Sequence, residues 1–369
     1  MSEKVLMKGN EALAEAAIRA GCHCYFGYPI TPQSEVAAYM SRHLPKIGGT
    51  FIQAESEIAA INMVYGASSA GIRAMTASSS PGVSLKSEGI SYMLAADLPG
   101  LIVNINRCGP GLGGIQPSQA DYWMATRATG HGDGHVVVLA PNSVQEMADL
   151  TRKAFELGDA YRIPVMILAD GLLGQMMEPV ELPEPLALED LPARPWAVTG
   201  TRGEREHNVV NTLYLDSQEL EDIVLMRRER YALIKEAEQL AELEETEDAQ
   251  LIVVAYGASA RIARSAIQMA RKEGIKVGMI RPITLWPFPD KAIEAACSTA
   301  EAFLCIELST GQMIDDVRLA LAGSRPVSFF GHTGGIIPTP SEVLEAIKKA
   351  YAGEVFHLIP FHSKLEAGE

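Results

Sequence analysis

Short apolar runs alternate with segments of helical period over the first half of the chain, a pattern that builds parallel βαβ units and lays helices over a sheet. The runs predict strands over 5–8, 23–26, 50–53, 72–76, 101–106, 136–139 and 165–168. Asn10 stands where it can cap the first helix and Gly21 where that helix stops. Asn142 or Ser143 opens a later helix that runs toward Leu157 and Gly158.

Prolines and acidic residues then interrupt the periodicity over 181–195, which reads as a linker. The charged stretch 217–246 carries Ile223, Met226, Leu233, Ala237 and Leu240 at helical spacing, as one long helix with a narrow apolar seam would. Such a helix is either solvated and packed on one side or an arm for a partner. A second α/β series begins at 251–255, turns at Tyr256-Gly257-Ala258-Ser259 and continues through a helix over 260–271. Strands follow over 276–279, 302–306 and 327–330, and a helix over 341–350 closes the series after Pro338-Thr339-Pro340. The expected division is 1–185, a linker and charged helix over 186–248, and 249–369.

At 369 residues the chain exceeds what one hydrophobic core organises, in agreement with that division. A net charge of −15 argues against nucleic acid and anionic lipid surfaces as partners. No apolar stretch reaches the length of a membrane span, and Met1 to Lys8 lacks the apolar run of a signal peptide, so a cytoplasmic location is expected. Cys22, Cys24, Cys108, Cys297 and Cys305 are scattered without a C-x-x-C spacing and provide no metal or cluster framework. Cys22 and Cys24 suit small buried apolar positions.

Candidate chemistry gathers in four places. In Gly27-Tyr28-Pro29-Ile30-Thr31-Pro32 two prolines stiffen the chain between a strand and a helix, so the Thr31 hydroxyl can be aimed or can cap the helix near Gln33. Ser56-Glu57 precedes an apolar helix; Glu57 suits the helix dipole there, and Glu55 is a nearby competitor. In Ser79-Ser80-Pro81-Gly82 the proline fits a first helical turn, so the serines either cap it or line a cavity, while Lys86 and Glu88 farther along read as solvated charges. Arg107 follows the 101–106 strand at its carboxyl end, where α/β proteins bind ligands, and enters a glycine loop; it can grip a carboxylate or join a salt bridge between subunits. Gly109, Gly111 and Gly114 match G-x-G-x-x-G with Asp133 about 20 residues on, but Pro110 interrupts the turn and Pro117 delays the next helix to about Ser118.

Taken together, these four motifs resemble, in order and spacing and over almost the whole chain, the pyrimidine-binding subunit of the thiamine diphosphate-dependent 2-oxoacid:ferredoxin oxidoreductases. The runs over 80–86 and 109–119 most resemble the 2-oxoisovalerate (branched-chain) type, with the 2-oxoglutarate type as the alternative. The resemblance implies an α/β pyrimidine-binding domain with a parallel sheet and a smaller α/β domain of the transketolase C-terminal type. It implies CoA-dependent oxidative decarboxylation of a 2-oxoacid, with electrons passed to ferredoxin. Glu57 would meet N1′ of the aminopyrimidine, with Tyr28 and Pro29 beside the cofactor; Thr31 and Arg107 would hold substrate, and Ser79 and Ser80 would line its cavity. Cys108 departs from the glycine common after this Arg. Gly132-Asp133-Gly134 resembles the start of a diphosphate and magnesium motif, yet positions 157–162 supply no Asn to complete it, and His131 and His135 flank a polar turn. This chain would therefore bind no metal itself, and a partner subunit would carry the diphosphate site, Mg2+ and an iron–sulfur cluster. A nicotinamide-binding dehydrogenase and a non-catalytic assembly subunit are the readings from other classes.

Overall fold

The computed structural model describes residues 4–360; residues 1–3 and 361–369, at the ends of the expected first and last domains, lie outside it. The first half runs β1 (Val5–Lys8), α1 (Gly9–Arg19), β2 (Cys24–Gly27), α2 (Ser34–His43), β3 (Thr50–Gln53), α3 (Glu57–Ser69), β4 (Ala74–Ser78), α4 (Pro81–Ala95) and β5 (Gly100–Asn106). It continues through α5 (Tyr122–Thr126), β6 (Val137–Leu139), α6 (Val144–Tyr161), β7 (Pro164–Asp170), α7 (Gly171–Gln175) and β8 (Met177–Val180). The second half holds α8 (Ser217–Ala237), β9 (Ala241–Glu244), β10 (Leu251–Val254), α9 (Gly257–Lys272), β11 (Val277–Pro282) and β12 (Thr284–Trp286). It ends with α10 (Asp290–Ala296), β13 (Ala302–Glu307), α11 (Met313–Leu321), β14 (Val327–Gly331), α12 (Pro340–Tyr351) and β15 (His357–Leu358).

A seven-stranded sheet has the order β12-β6-β7-β5-β4-β2-β3, and a six-stranded sheet the order β15-β14-β13-β10-β11-β9. Every pairing in the first is parallel except β12 with β6, and in the second except β9 with β11. Strands β4, β5 and β7 are buried along their whole length, as their unbroken apolar runs require of a sheet covered on both faces. Helix α1 packs on α6, and α3 on α4.

Several elements differ from the sequence expectation, each for a visible reason. β1 does not join the parallel series; it pairs antiparallel with β8, Val5 opposite Val180, over a satellite cluster of Met7, Ala12, Ala16, Val144 and Ala148. Asn10 does not cap α1. It lies inside the helix, where its buried amide donates to the Pro32 carbonyl at 2.9 Å and to Glu35 at 3.0 Å. Ser143 does cap α6, accepting from the Glu146 N–H. The strand expected over 72–76 sits two residues later, and the helix expected near Ser118 is α5.

The long helix stops at Ala237, and 241–244 forms an edge strand instead, because alternating Ala-Glu-Leu-Glu pairs with β11. Its buried face is Arg227, Tyr231 and Ile234, while Met226 and Leu233 are exposed. The face is turned by polar anchors: Arg227 donates to the Ala95 carbonyl at 2.6 Å, and Arg230 pairs with Asp97 at 2.7 Å.

The two halves interlock. β12 leaves the second half to extend the first sheet. In return Gln119 donates to the Tyr256 carbonyl at 2.8 Å and accepts from the Leu308 N–H at 2.9 Å, bridging the ends of β10 and β13. The strap that follows β8 is pinned by Arg194, which contacts the Gly71 carbonyl at 2.6 Å and shares buried Asp159 with Arg73 at 2.7 Å each. Cys22 is a free buried thiol whose pKa burial pushes up. Among the described residues no helix is long and apolar enough to cross a membrane.

Candidate active site

The expected residues lie on the connections that leave the carboxyl ends of β2, β3, β4 and β5, side by side in the first sheet. After β2, the Gln33 amide donates to the Tyr28 carbonyl at 3.3 Å and Asn10 holds Pro32, so this turn is fixed from within and from α1. Tyr28, Pro29 and Thr31 are exposed on it. Thr31 does not cap the following helix: α2 begins at Ser34, with Gln33 at its cap position and no side-chain bond there.

After β3, Ser56 caps α3 by accepting from the Ala59 N–H at 3.1 Å. That leaves Glu57 as the first helical residue, buried, whereas Glu55 is exposed. The Glu57 carboxyl rests on Gly82, where a β carbon would stand 2.6 Å from Oε1 and 2.1 Å from Ser78 Oγ. Among the described residues no hydrogen-bond donor reaches that carboxyl. A buried carboxylate without a donor is costly, and it is placed to share a proton with an incoming basic group.

After β4, Ser80 does not cap α4. Its backbone has φ 26° and ψ −84°, a strained conformation for a residue with a β carbon. The turn aims Oγ at the end of β5, where it donates to Asp121 at 2.6 Å and accepts from the Arg107 N–H at 3.0 Å. Asn104 Nδ2 reaches the same Asp121 oxygen at 2.9 Å, and the Ser80 N–H donates to Asn104 Oδ1 at 3.1 Å. Burial raises the Asp121 pKa, with the Ser80 and Asn104 hydrogen bonds opposing. Ser79 is sealed from the surface, and its hydroxyl has no partner.

After β5, Arg107 is buried; it donates through Nη1 to the Thr31 carbonyl at 3.2 Å and through Nη2 to the Leu112 carbonyl at 3.1 Å. Nε has no partner, so part of the five-proton fork remains for an acceptor. The loop it enters closes on itself, Cys108 N–H to the Gln116 carbonyl at 3.0 Å and Gly114 N–H to the Cys108 carbonyl at 3.0 Å. Gly113 has φ 56°, and a β carbon there would stand 2.0 Å from the Cys108 carbonyl, so this closure requires glycine. No helix opens on this glycine run before α5, so it lacks the strand-turn-helix that a dinucleotide site uses. A cleft of about 620 Å³ lies over Ser80, Ser84, Cys108 and Asp121, with Thr310 and Gln312 of the second half on its far side.

The structure thus joins Ser80, Arg107 and the Thr31 backbone carbonyl through direct hydrogen bonds, and it seats the Glu57 carboxyl over Gly82 at the start of the same α4 that Ser80 precedes. Asp121 and Asn104 escaped the sequence reading because neither stands in a recognisable motif. Lys86 overturns its reading as a solvated charge: its side chain is fully buried and Nζ has no hydrogen-bond partner. Glu88 is exposed and accepts from Tyr92.

The family model described as "Pyruvate flavodoxin/ferredoxin oxidoreductase, thiamine diP-bdg" matches residues 15–244, and that described as "Pyruvate:ferredoxin oxidoreductase core domain II" matches residues 249–343. The chain is 51% identical to ketoisovalerate oxidoreductase subunit VorB of Methanothermobacter marburgensis, covering 95% of this chain and 98% of that protein. It is 35% identical to 2-oxoglutarate synthase subunit KorA of Methanothermobacter thermautotrophicus, covering 95% and 99%. Among solved structures, the 2-oxoglutarate:ferredoxin oxidoreductase from Magnetococcus marinus with 2-oxoglutarate, coenzyme A and succinyl-CoA bound matches with a TM-score of 0.81 at 28% identity, over 95% of this chain and 66% of that chain.

Proposed function

The chain belongs to the 2-oxoacid:ferredoxin oxidoreductase family, and we propose that it is the pyrimidine-binding subunit of a member acting on branched-chain 2-oxoacids of the 2-oxoisovalerate kind. The preference for branched-chain over 2-oxoglutarate chemistry is supported by 51% identity to the ketoisovalerate subunit against 35% to the 2-oxoglutarate one. One observation carries the placement of the site: Glu57 presents a buried carboxyl without a donor, seated on a glycine at the start of α3.

That carboxyl fits an aminopyrimidine ring, which needs an acid able to share a proton at N1′. When bound, thiamine diphosphate supplies a carbanion that adds to the keto carbon and takes up the electrons released with carbon dioxide. Glu57 holds the shared proton, and its ionisation favours the tautomer whose 4′ nitrogen acts as base. Tyr28 and Pro29 flank the ring from the turn after β2. Arg107 directs its free donors at the substrate carboxylate, and the Thr31 hydroxyl donates to a substrate oxygen as negative charge grows there. Ser80 acts through Arg107, fixing its backbone, and Ser79 lies behind the substrate cavity. The diphosphate site, Mg2+ and the iron–sulfur cluster belong to a partner subunit, with coenzyme A as co-substrate and ferredoxin as acceptor, because the scattered cysteines of this chain do not form a cluster framework.

In the reconstituted complex Glu57→Gln is expected to lower acyl-CoA formation by at least about 100-fold while leaving assembly intact; normal turnover would remove Glu57 from its role. A panel of 2-oxoacids tests the substrate: the branched-chain acids should give the highest kcat/KM, and a preference for 2-oxoglutarate would transfer the chain to that type.

A further inference from the structure

The contact between α3 and α4 is set by glycine at two points. Gly82 lies under Glu57, and Gly89 lies under Ile61, where a β carbon would stand 2.5 Å from Ile61 Cγ2. Glu57 and Ile61 are one turn apart on α3, and Gly82, Lys86 and Gly89 follow one face of α4 at spacings of four and three. Lys86 therefore falls inside the seam, between the two glycines, on the face that carries Glu57. Its exposure is 0%, and Nζ has no hydrogen-bond partner. A buried ammonium without a partner is expensive to keep, and a methionine would fill the same space without that cost.

The groups around Lys86 leave one counter-charge. From α3 the facing carboxyl is Glu57, which acts to raise the lysine pKa. On its own helix Glu88 is exposed and engaged by Tyr92. Burial brings the lysine pKa down to about 8 against that Glu57 effect, so the ammonium is retained at neutral pH.

We propose that Lys86 is a positioning residue for the reaction, a buried cation that acts through Glu57 and drives the proton shared with the pyrimidine ring from the carboxyl toward N1′. The proposal rests on the reading of Glu57 given above. A positive charge beside a carboxyl favours its ionised form, and every loss of a proton from the Glu57–ring pair is easier next to a cation.

The test uses the assembled enzyme with thiamine diphosphate and Mg2+ but no 2-oxoacid, following the near-ultraviolet circular-dichroism band of the imino tautomer of the ring against pH. In Lys86→Met the midpoint should move up by about one pH unit. Lys86→Gln, uncharged but polar, should move it likewise, so a failure of the Met variant to assemble leaves the charge test standing, and Lys86→Arg should bring the midpoint back. If Glu57→Gln abolishes the band while the neutral Lys86 variants keep the wild-type midpoint, the Lys86 proposal is overturned and the reading of Glu57 stands. If Glu57→Gln keeps both band and midpoint, both are overturned.

Discussion

Gly82→Ala tests the seat of the Glu57 carboxyl most directly. In an ordinary helix the change stabilises by about 0.5–1 kcal/mol, because alanine has less backbone entropy to lose. At this position the new methyl would stand 2.1 Å from Ser78 Oγ and 2.6 Å from Glu57 Oε1. To regain ordinary contact near 3.4 Å, the hydroxyl must retreat by roughly 1.3 Å and the carboxyl oxygen by roughly 0.8 Å. Overpacking of this size costs about 1–3 kcal/mol, which exceeds the helical gain and leaves the variant about 1 kcal/mol less stable. The effect on turnover should be larger, since displacing a catalytic group by about 1 Å can cost about 100-fold in rate. Gly89→Ala is the matched control. Its methyl meets Ile61 Cγ2 at 2.5 Å, one packing contact farther along the same seam and away from the carboxyl. Denaturant unfolding of the chain and acyl-CoA formation by the complex should separate the two: similar losses of stability, with the large loss of rate confined to Gly82→Ala. Equal rates in the two variants, or a Gly82→Ala protein more stable than the parent, would refute the argument.

The junction and one buried acid give two further tests. Gln119→Ala leaves the Leu308 N–H buried without a partner and takes one donor from the Tyr256 carbonyl, which keeps Ser259 Oγ at 2.8 Å, and at about 1–3 kcal/mol for the orphaned N–H the expected loss in urea unfolding is about 2 kcal/mol; a loss below about 0.5 kcal/mol would contradict the bridging role. Burial pushes the Asp170 pKa up to about 6, with hydrogen bonds from the Leu173 and Leu172 N–H groups opposing. The folded chain thus holds that proton more tightly than the unfolded chain, with its ordinary pKa of about 3.9, and the contribution to stability is complete below about pH 4 and lost as pH rises through about 6. Asp170→Asn should flatten the decline in stability across that window, and an unchanged slope would show that Asp170 does not titrate there.

The alternation of apolar runs and helical period located the inner strands of both sheets to within a few residues, because strands buried on both faces must be apolar throughout, and it missed β9, β12 and β15 at the sheet edges. The edges were harder to read. β1 and β8 make a ladder of their own, and β12 crosses from one sheet to the other, since the partner of a short strand is chosen by chain geometry that a local window does not contain. Ala241 to Glu244 suits a helix and an edge strand equally well, and its pairing with β11 decides the matter. Arg227 shows how a charged residue can define the inner face of a helix once Asp97 and the Ala95 carbonyl wait for it, so the seam read from Met226 and Leu233 pointed the wrong way.

The same blindness explains what was missed near Glu57. Periodicity treats burial as apolarity, and so it gives a lysine or an aspartate at the heart of a site to the solvent. Lys86 nevertheless left a trace: it stands four residues after Gly82 and three before Gly89, and two small residues on one helical face mark a close approach of neighbouring backbones. A long cationic side chain placed between two such glycines has its neighbouring helix against it and little water to reach. It stays there only if something in that seam uses its charge, and the residue that α3 brings to that place is the carboxyl of Glu57.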